Sequence, residues 1–575
     1  VIADDVDESW EDIIQSTSDS LSTIIENNKS SINIKKIYAD AFVQESTSGG
    51  ERYPEVNNAI IESLEVGALV VNYFGHGGED GIARERIFDK IDAQELLNKD
   101  RLNCFVSVTC EFTKFDNPNR ETAGEFLYWN KNGGSIGLIT TTRQIFVSVG
   151  VDFNITLQKY LFSLNSSSTY SMAEALRLTK NDPEISNIIQ RRLVFFIGDP
   201  AMKLAFPKPN IKITSINDIA INDLIDPIEA LSYVNVKGQI EDLGGNIIND
   251  YNGELTSTVY DKNIPRSTLG NDNVYQNNEP IILDFITLGE TVFKGKASIV
   301  DGLFEFDFVV PRDIGMAIGT GKFSLYAKKN NSDLDNSGND LSVLIGGINE
   351  NAVNDNTGPE INLYMNDESF IDGGITNESP FLIVKLFDDN GINTSSGIGH
   401  DITAVLDGDS SNTFQLNDYY EAALDDYKNG SIKYPLRDLE AGIHTINFKA
   451  WDVFNNSSTT EIEFLVYDQN EELVISNVLN YPNPFINYTE FWFNHNSSDV
   501  LDVLLQIFTV SGKLVKTINQ QTNTLGSSNL SRDIVWDGRD EYGDRLAKGV
   551  YVYKIKVRSM QTNKKAQKIQ KLVIL

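Results

Sequence analysis

Residues 67–81 read GALVVNYFGHGGEDG, and residues 101–110 read RLNCFVSVTC. Each is an apolar run that stops at a reactive residue type. The run over 69–74 ends in Gly75-His76-Gly77-Gly78, and the run over 104–109 ends in Cys110-Glu111. Runs that are apolar on both faces mark strands buried in a parallel sheet. In open α/β sheets the ligand crevice lies beyond the carboxyl ends of the strands. This reading delivers one His and one Cys to the same sheet edge, the arrangement that a cysteine nucleophile and its base require.

Outward from these two runs, strands and helices alternate. Residues 5–27 have helical spacing (Trp10, Ile13, Ile14, Leu21, Ile24, Ile25) with acids in the first turn. Residues 34–42 read as a strand, and 54–64 as a helix opened by Pro54. Residues 92–97 and 125–130 read as helical, and 134–142 (GSIGLITTT) as another buried strand. A helix is expected over 152–164 with Asp152 as N-cap, another over 171–180, and a last apolar run at 193–204. Alternation of this kind predicts an α/β layer with a mainly parallel sheet over residues 1–207, closed by the linker Pro207-Lys208-Pro209. Beyond it, short alternating strands with Gly, Asn and Asp turns predict β-sandwiches over 208–350, 351–470 and 471–575.

Composition narrows the function classes. A chain of 575 residues is too long for one core. A net charge of −34 argues against a nucleic-acid partner, which needs basic clusters. No apolar run has the length of a membrane span. The chain begins Val-Ile-Ala-Asp-Asp, and 1–3 read as the tail of a buried strand, so an N-terminal piece of the α/β layer is expected to precede Val1. The abundance of Asn, Ser and Thr suits a secreted or surface-exposed bacterial protein.

Two Cys and four His leave few places for thiol or imidazole chemistry. A Cys on an apolar strand is ordinarily core. Cys104, at the start of its run, keeps that reading; Cys110, at the end and followed by Glu111, sits where the strand leaves the core. About six residues of extended chain, roughly 20 Å, keep the two apart, too far for a disulfide. A His between glycines is ordinarily a turn residue. Here the glycines allow a sharp turn and close approach of a substrate. The Gly77 and Cys110 amides are then placed to hold an oxyanion, with His76 relaying the proton.

The pair GHGGEDG and VSVTCEF resembles the gingipain-type cysteine peptidases, which share the caspase-like fold. The resemblance also covers Ile2-Ala3-Asp4-Asp5, residues 134–142 and Ile197-Gly198-Asp199-Pro200. It implies Cys110 as nucleophile, His76 as catalytic base and Gly77 as oxyanion amide. It spans only the later half of the family's peptidase domain, so the expected fold is an N-terminally incomplete α/β caspase-like domain followed by three Ig-like β-sandwiches. A finer resemblance, carried by TCEFTKFDNP at 109–118, GLITTTRQIF at 137–146, residues 388–408 and the C-terminal YPNPF and WDGRDEYGDRLAKGVYVYKI strings, is to the family's signal-peptidase branch in type IX secretion. That branch implies removal of the C-terminal signal domain of exported cargo and a sortase step onto anionic lipopolysaccharide. It also implies attachment to an outer-membrane β-barrel shuttle (PorV-like) through a retained C-terminal module. The alternatives are an exported endopeptidase whose own C-terminal domain is a secretion signal, and a catalytically inactive surface scaffold.

Secondary candidates complete the reading. Asp40, ending a strand, is a candidate to orient His76. Glu111, Asp116 and Arg143 are candidates for the substrate pocket, with the solvated loop charge as the ordinary alternative. No cofactor is required by the thiol chemistry. Oxygen-rich groups at Asp4, Asp5 and Asp7, and at Asp333, Asp335, Ser337 and Asp340, are candidate Ca²⁺ ligands, although the second lacks the bidentate Glu of a helix–loop–helix site. His400, His444 and His495 read as structural.

Overall fold

Five parallel strands and one antiparallel edge strand carry the site. In chain order they are β1 (Ile2–Ala3), β2 (Ile37–Tyr38), β3 (Val70–Phe74), then β4 (Gly77–Gly78) and β5 (Gly81–Ile82) as a small hairpin outside the sheet, and β6 (Asn103–Ser107), β7 (Ser135–Thr141) and β8 (Val194–Ile197). The sheet order is β8-β7-β6-β3-β1-β2, with only β8 antiparallel. The computed structural model describes residues 1–164, 169–395, 399–466, 473–495, 501–522, 530–560 and 563–575.

Period-two alternation splits each strand between two cores. Val71, Tyr73 and Phe105 face one layer, with α2 (Pro54–Val66), α3 (Lys90–Glu95) and α4 (Ala123–Trp129). Cys104, Val106 and Ile139 face the other, with α1 (Asp12–Asn28), α5 (Val147–Leu161) and α6 (Met172–Asn181). Local signals set the helix ends. Pro54 opens α2, and Gly67, at φ +114°, closes it. Capping boxes at Asp89/Asp92 and Thr122/Glu125 open α3 and α4.

Several boundaries differ from the sequence reading, each for a local reason. The first helix starts at Asp12 rather than residue 5, because Glu11 Oε2 accepts the amides of Asp7 and Glu8 at 2.8 Å and folds the acids into a turn. The strand expected over 34–42 shortens to Ile37–Tyr38 and passes into a 3₁₀ turn at Ala39–Ala41. Asp152 is not an N-cap: α5 already begins at Val147, with Phe146 as its cap. Lys208 and Pro209 form a short strand against Asn336 and Ser337 instead of a free linker. Residues 335–340 are a strand paired with Lys322–Lys329, so their oxygens do not converge as a loop's would.

The chain divides into two compact units, residues 1–350 and 351–575. The first holds both the α/β layer and a nine-stranded sheet built from residues 208–340. Tyr38 packs on Phe285 at 4.7 Å between ring centroids, in one cluster with Ala3, Ile14 and Phe74. The second unit contains a four- and a five-stranded sheet over 360–466, then a three- and a four-stranded sheet over 475–574. The last two share a core in which Phe491, Phe493 and Ile534 meet Val503, Leu505 and Tyr553. The boundary expected at 470/471 lies outside the described residues. No helix among the described residues is long and apolar enough to cross a membrane.

Phe285 sits directly under the ends of β1 and β3. Phe285→Ala is expected to cost about 3 kcal/mol, the usual scale for emptying a buried aromatic site. A lowered urea midpoint for the first unit checks this, and an unchanged midpoint would show that the contact adds nothing.

Candidate active site

β3 ends at Phe74 and the chain turns through Gly75-His76-Gly77. Crowding forces both glycines. A Cβ on Gly75 would stand 2.4 Å from the Asp4 Cβ, and one on Gly77 would stand 2.7 Å from Thr109 Cγ2. His76 is therefore seated between the end of β1 and the loop after β6. Thr109 Oγ1 donates to the Gly75 carbonyl at 2.6 Å and ties the His loop to the Cys loop. The Tyr73 hydroxyl donates to the His76 carbonyl at 2.6 Å. The Ala83 amide donates to the same carbonyl at 3.0 Å, making His76 and Ala83 a hydrogen-bonded pair of the β4–β5 hairpin. Antiparallel pairs alternate, so the next pair, Gly77 and Ile82, is the non-bonded kind and the Gly77 amide points out of the ladder.

The partner of the imidazole comes from β1. Parallel pairing sets Ala3 beside Phe74, so Asp4 emerges beside the His76 turn. Its Oδ2 accepts the His76 amide at 2.7 Å and Nδ1 at 2.9 Å. The other ring nitrogen, Nε2, lies 3.1 Å from Glu11 Oε1. Hydrogen bonds to Asp4 and then Glu11 outweigh burial and raise the His76 pKa to about 10, so the ring is an imidazolium at neutral pH. Burial works against the charge on Glu11, but its bonds from His76 and from backbone amides hold its carboxyl below the usual range. Trp10 stands edge-on to the imidazole at 6.4 Å, and Arg84 lies beside Nε2 while pairing with Asp7.

Cys110 lies three residues past β6 and is half-buried, with Sγ 3.8 Å from the Ile145 carbonyl oxygen. Cys104 is fully buried on the strand, and burial pushes its thiol up to about 12. Of the two thiols, Cys110 is the one at the sheet edge.

Asp40 does not orient His76. Its buried carboxylate accepts the Gly270 amide at 3.2 Å, the Asn271 amide at 2.9 Å and Asn271 Nδ2 at 3.0 Å, fastening the α/β layer to the following β-region. Burial raises its pKa despite these bonds. The signal for the true partner was present in the sequence: Asp4 follows a short apolar strand tail. Which strand lies beside β3 is decided only by the sheet order. Glu11, Trp10 and Arg84 left no such signal.

The expected pocket charges are all taken up in ion pairs. Glu111 meets Lys114 at 3.0 Å, and Lys114 also meets Glu79 at 3.1 Å. Asp116 and Arg143 form a two-bond pair at 2.9 and 2.6 Å in the open. Asp4, Asp5 and Asp7 do not form a single group. Carboxylate oxygens of Asp4, Asp5 and Glu85 lie within 4.8 Å of one another, as do those of Asp5, Asp7 and Asp272. Burial and then repulsion from Asp4 raise Asp5 to about 9 and Glu85 to about 7. His444 bonds Asp407 at 2.7 Å, and His400 meets Trp451 edge to face at 4.5 Å between ring centroids, both in the second unit. His495 is buried beside Phe493.

Residues 1–205 match the model of peptidase family C25, the gingipain family. No curated relative matches the sequence. Among solved structures, dimeric latent PorU from Porphyromonas gingivalis is similar at 26% identity, covering 77% of this chain and 41% of that one, with a TM-score of 0.31. The complex of the pro- and mature domains of RgpB from Porphyromonas gingivalis is similar at 14% identity, covering 59% and 67%, with a TM-score of 0.29. The chain thus spans less than half the length of the PorU chain it matches.

Replacing Glu11 removes one of the two carboxylates that hold the imidazolium. Glu11→Gln and Asp4→Asn are each expected to lower the His76 pKa from about 10, whereas Asp40→Asn leaves it in place. Titration of ring-labelled histidine by NMR reads all three. Because the folded pKa is raised, the ion pairs stabilise fully below about pH 6.5 and lose that contribution as pH rises through about 10. The thermal-stability margin of the wild type over Glu11→Gln is expected to shrink across that window.

Proposed function

We propose, taking residues 1–205 as a peptidase family C25 domain, that the chain is a cell-surface cysteine peptidase that cuts the C-terminal signal domain from type IX secretion cargo. The observation that carries the peptidase reading is the Thr109–Gly75 hydrogen bond of 2.6 Å. It holds the turn bearing His76 against the turn bearing Cys110 at the carboxyl ends of two neighbouring parallel strands. The signal-domain substrate rests on the sequence strings at 109–118 and 137–146 and on the C-terminal module.

In this reading the Cys110 thiolate attacks the scissile carbonyl, and the carbonyl electron pair moves onto oxygen. The outward amide of Gly77 and the amide of Cys110 stabilise that oxyanion. Collapse expels the amine, which takes the proton from His76 Nε2 and leaves an acyl thioester on Cys110. Asp4 keeps Nδ1 fixed, so that Nε2 is the nitrogen that gives up the proton. Neutral His76 then accepts a proton from the attacking water, which hydrolyses the thioester and restores the thiolate. An amine on anionic lipopolysaccharide in place of water completes a sortase reaction by the same steps.

The C-terminal strands of the second unit serve in this reading as a retained module. It docks on an outer-membrane β-barrel partner (PorV-like) and holds the enzyme at the extracellular face of the outer membrane. Cys110→Ala in the source bacterium is expected to leave exported cargo with uncut C-terminal domains, read by mass spectrometry, while the variant itself accumulates normally. Normal processing of cargo by that variant would remove Cys110 from that reaction and leave an endopeptidase with other substrates or a scaffold in its place.

A further inference from the structure

We propose a divalent-cation site, best suited to Ca²⁺, formed by Asp4, Asp5 and Glu85 behind the catalytic imidazole. All three side chains are buried, at 1%, 2% and 4% exposure. Their carboxylate oxygens converge within 4.8 Å of one another. Oxygens bound to one Ca²⁺ at about 2.3–2.6 Å are separated by up to roughly 5 Å, so a single ion fits among them.

A second observation points to a ligand. Asp4 turns Oδ2 to His76, and its Oδ1, buried, has no hydrogen-bond partner; Glu85 Oε2 is buried and without a partner as well. Asp5 receives one bond, from the Tyr53 hydroxyl at 3.0 Å. Nature rarely leaves a buried carboxylate oxygen unpaired, because the lost hydration is not replaced. Arg84, the nearby guanidinium, is engaged with Asp7 and Glu11. His76 therefore compensates Asp4 through Oδ2 alone, Asp5 and Glu85 have no ion pair among the described residues, and a bound metal ion satisfies the orphaned oxygens and cancels the remaining repulsion together.

The donor set selects the metal. Three carboxylates with no thiolate or imidazole nitrogen suit a hard cation, not zinc or copper. Their depth disfavours Mg²⁺, which keeps several of its waters and demands octahedral geometry. The site shares Asp4 with the support of His76 but takes its other oxygen, and its readout is binding rather than peptidase activity.

The test uses the 575-residue chain, stripped with a chelator and titrated calorimetrically with CaCl₂ alone and with MgCl₂ alone. The double variant Asp5→Asn/Glu85→Gln is expected to bind one equivalent of calcium fewer than the wild type. In the stripped state it is expected to melt at a higher temperature than the stripped wild type, because the repulsion is gone. Loss of a single equivalent separates this site from the Asp355, Asp388 and Asp452 group of the second unit. Equal calcium uptake by the two proteins, or no uptake by the wild type, overturns the proposal. Should the double variant fail to fold, Glu85→Gln alone is expected to weaken the tightest calcium step at least tenfold, and an unchanged affinity overturns it.

Discussion

The parallel pairing of β1 with β3 is the constraint on which the site depends. It places Ala3 beside Phe74 and thereby Asp4 beside His76. One carboxylate oxygen then holds both the amide and Nδ1 of the same residue, fixing the turn and the ring at once. Two hydrogen bonds to one ionised acceptor are stronger than neutral ones and carry geometric information as well. Gly75 follows from this contact, since any side chain there would collide with Asp4.

On its other side the same turn meets Thr109. The absence of a Cβ at Gly77 and the Thr109 bond to Gly75 bring the His and Cys loops together. Neither contact involves the reactive atoms. The chemistry is positioned by backbone packing and by a hydroxyl, so the imidazole and thiol need no direct contact in the resting molecule. Beneath this edge, Phe74 and Ala3 rest on Phe285 from the following β-region, and Asp40 binds Asn271. The β-region is thus part of what holds the site in shape.

Charge is distributed with the same economy. The chain carries −34 overall, yet the acids at residues 4, 5, 7, 11 and 85 gather around one imidazole and one guanidinium. His76 is the cation for Asp4 and Glu11, and Arg84 is the cation for Asp7. Asp5 and Glu85 are left over, and their pKa values are raised by burial first and by the neighbouring Asp4 carboxylate second.

The sequence by itself determined the two apolar runs, their termination in His76 and Cys110, the need for glycine around the histidine and the change to short strands after residue 209. These are local properties: strand period, turn chemistry and residue type are written in consecutive residues. Asp4, Glu11 and Glu85 were decided only by the tertiary structure, because a sheet order that sets β1 next to β3 joins residues some 70 positions apart. Asp40 shows the same limit from the other side. A strand-end Asp near the right edge is the correct pattern, but β2 lies beyond β1, one strand farther from His76, and its acid was claimed by the backbone of residues 270–271. Hydrophobic periodicity reveals that a strand is buried; which strand it is buried against depends on pairings that no local pattern encodes.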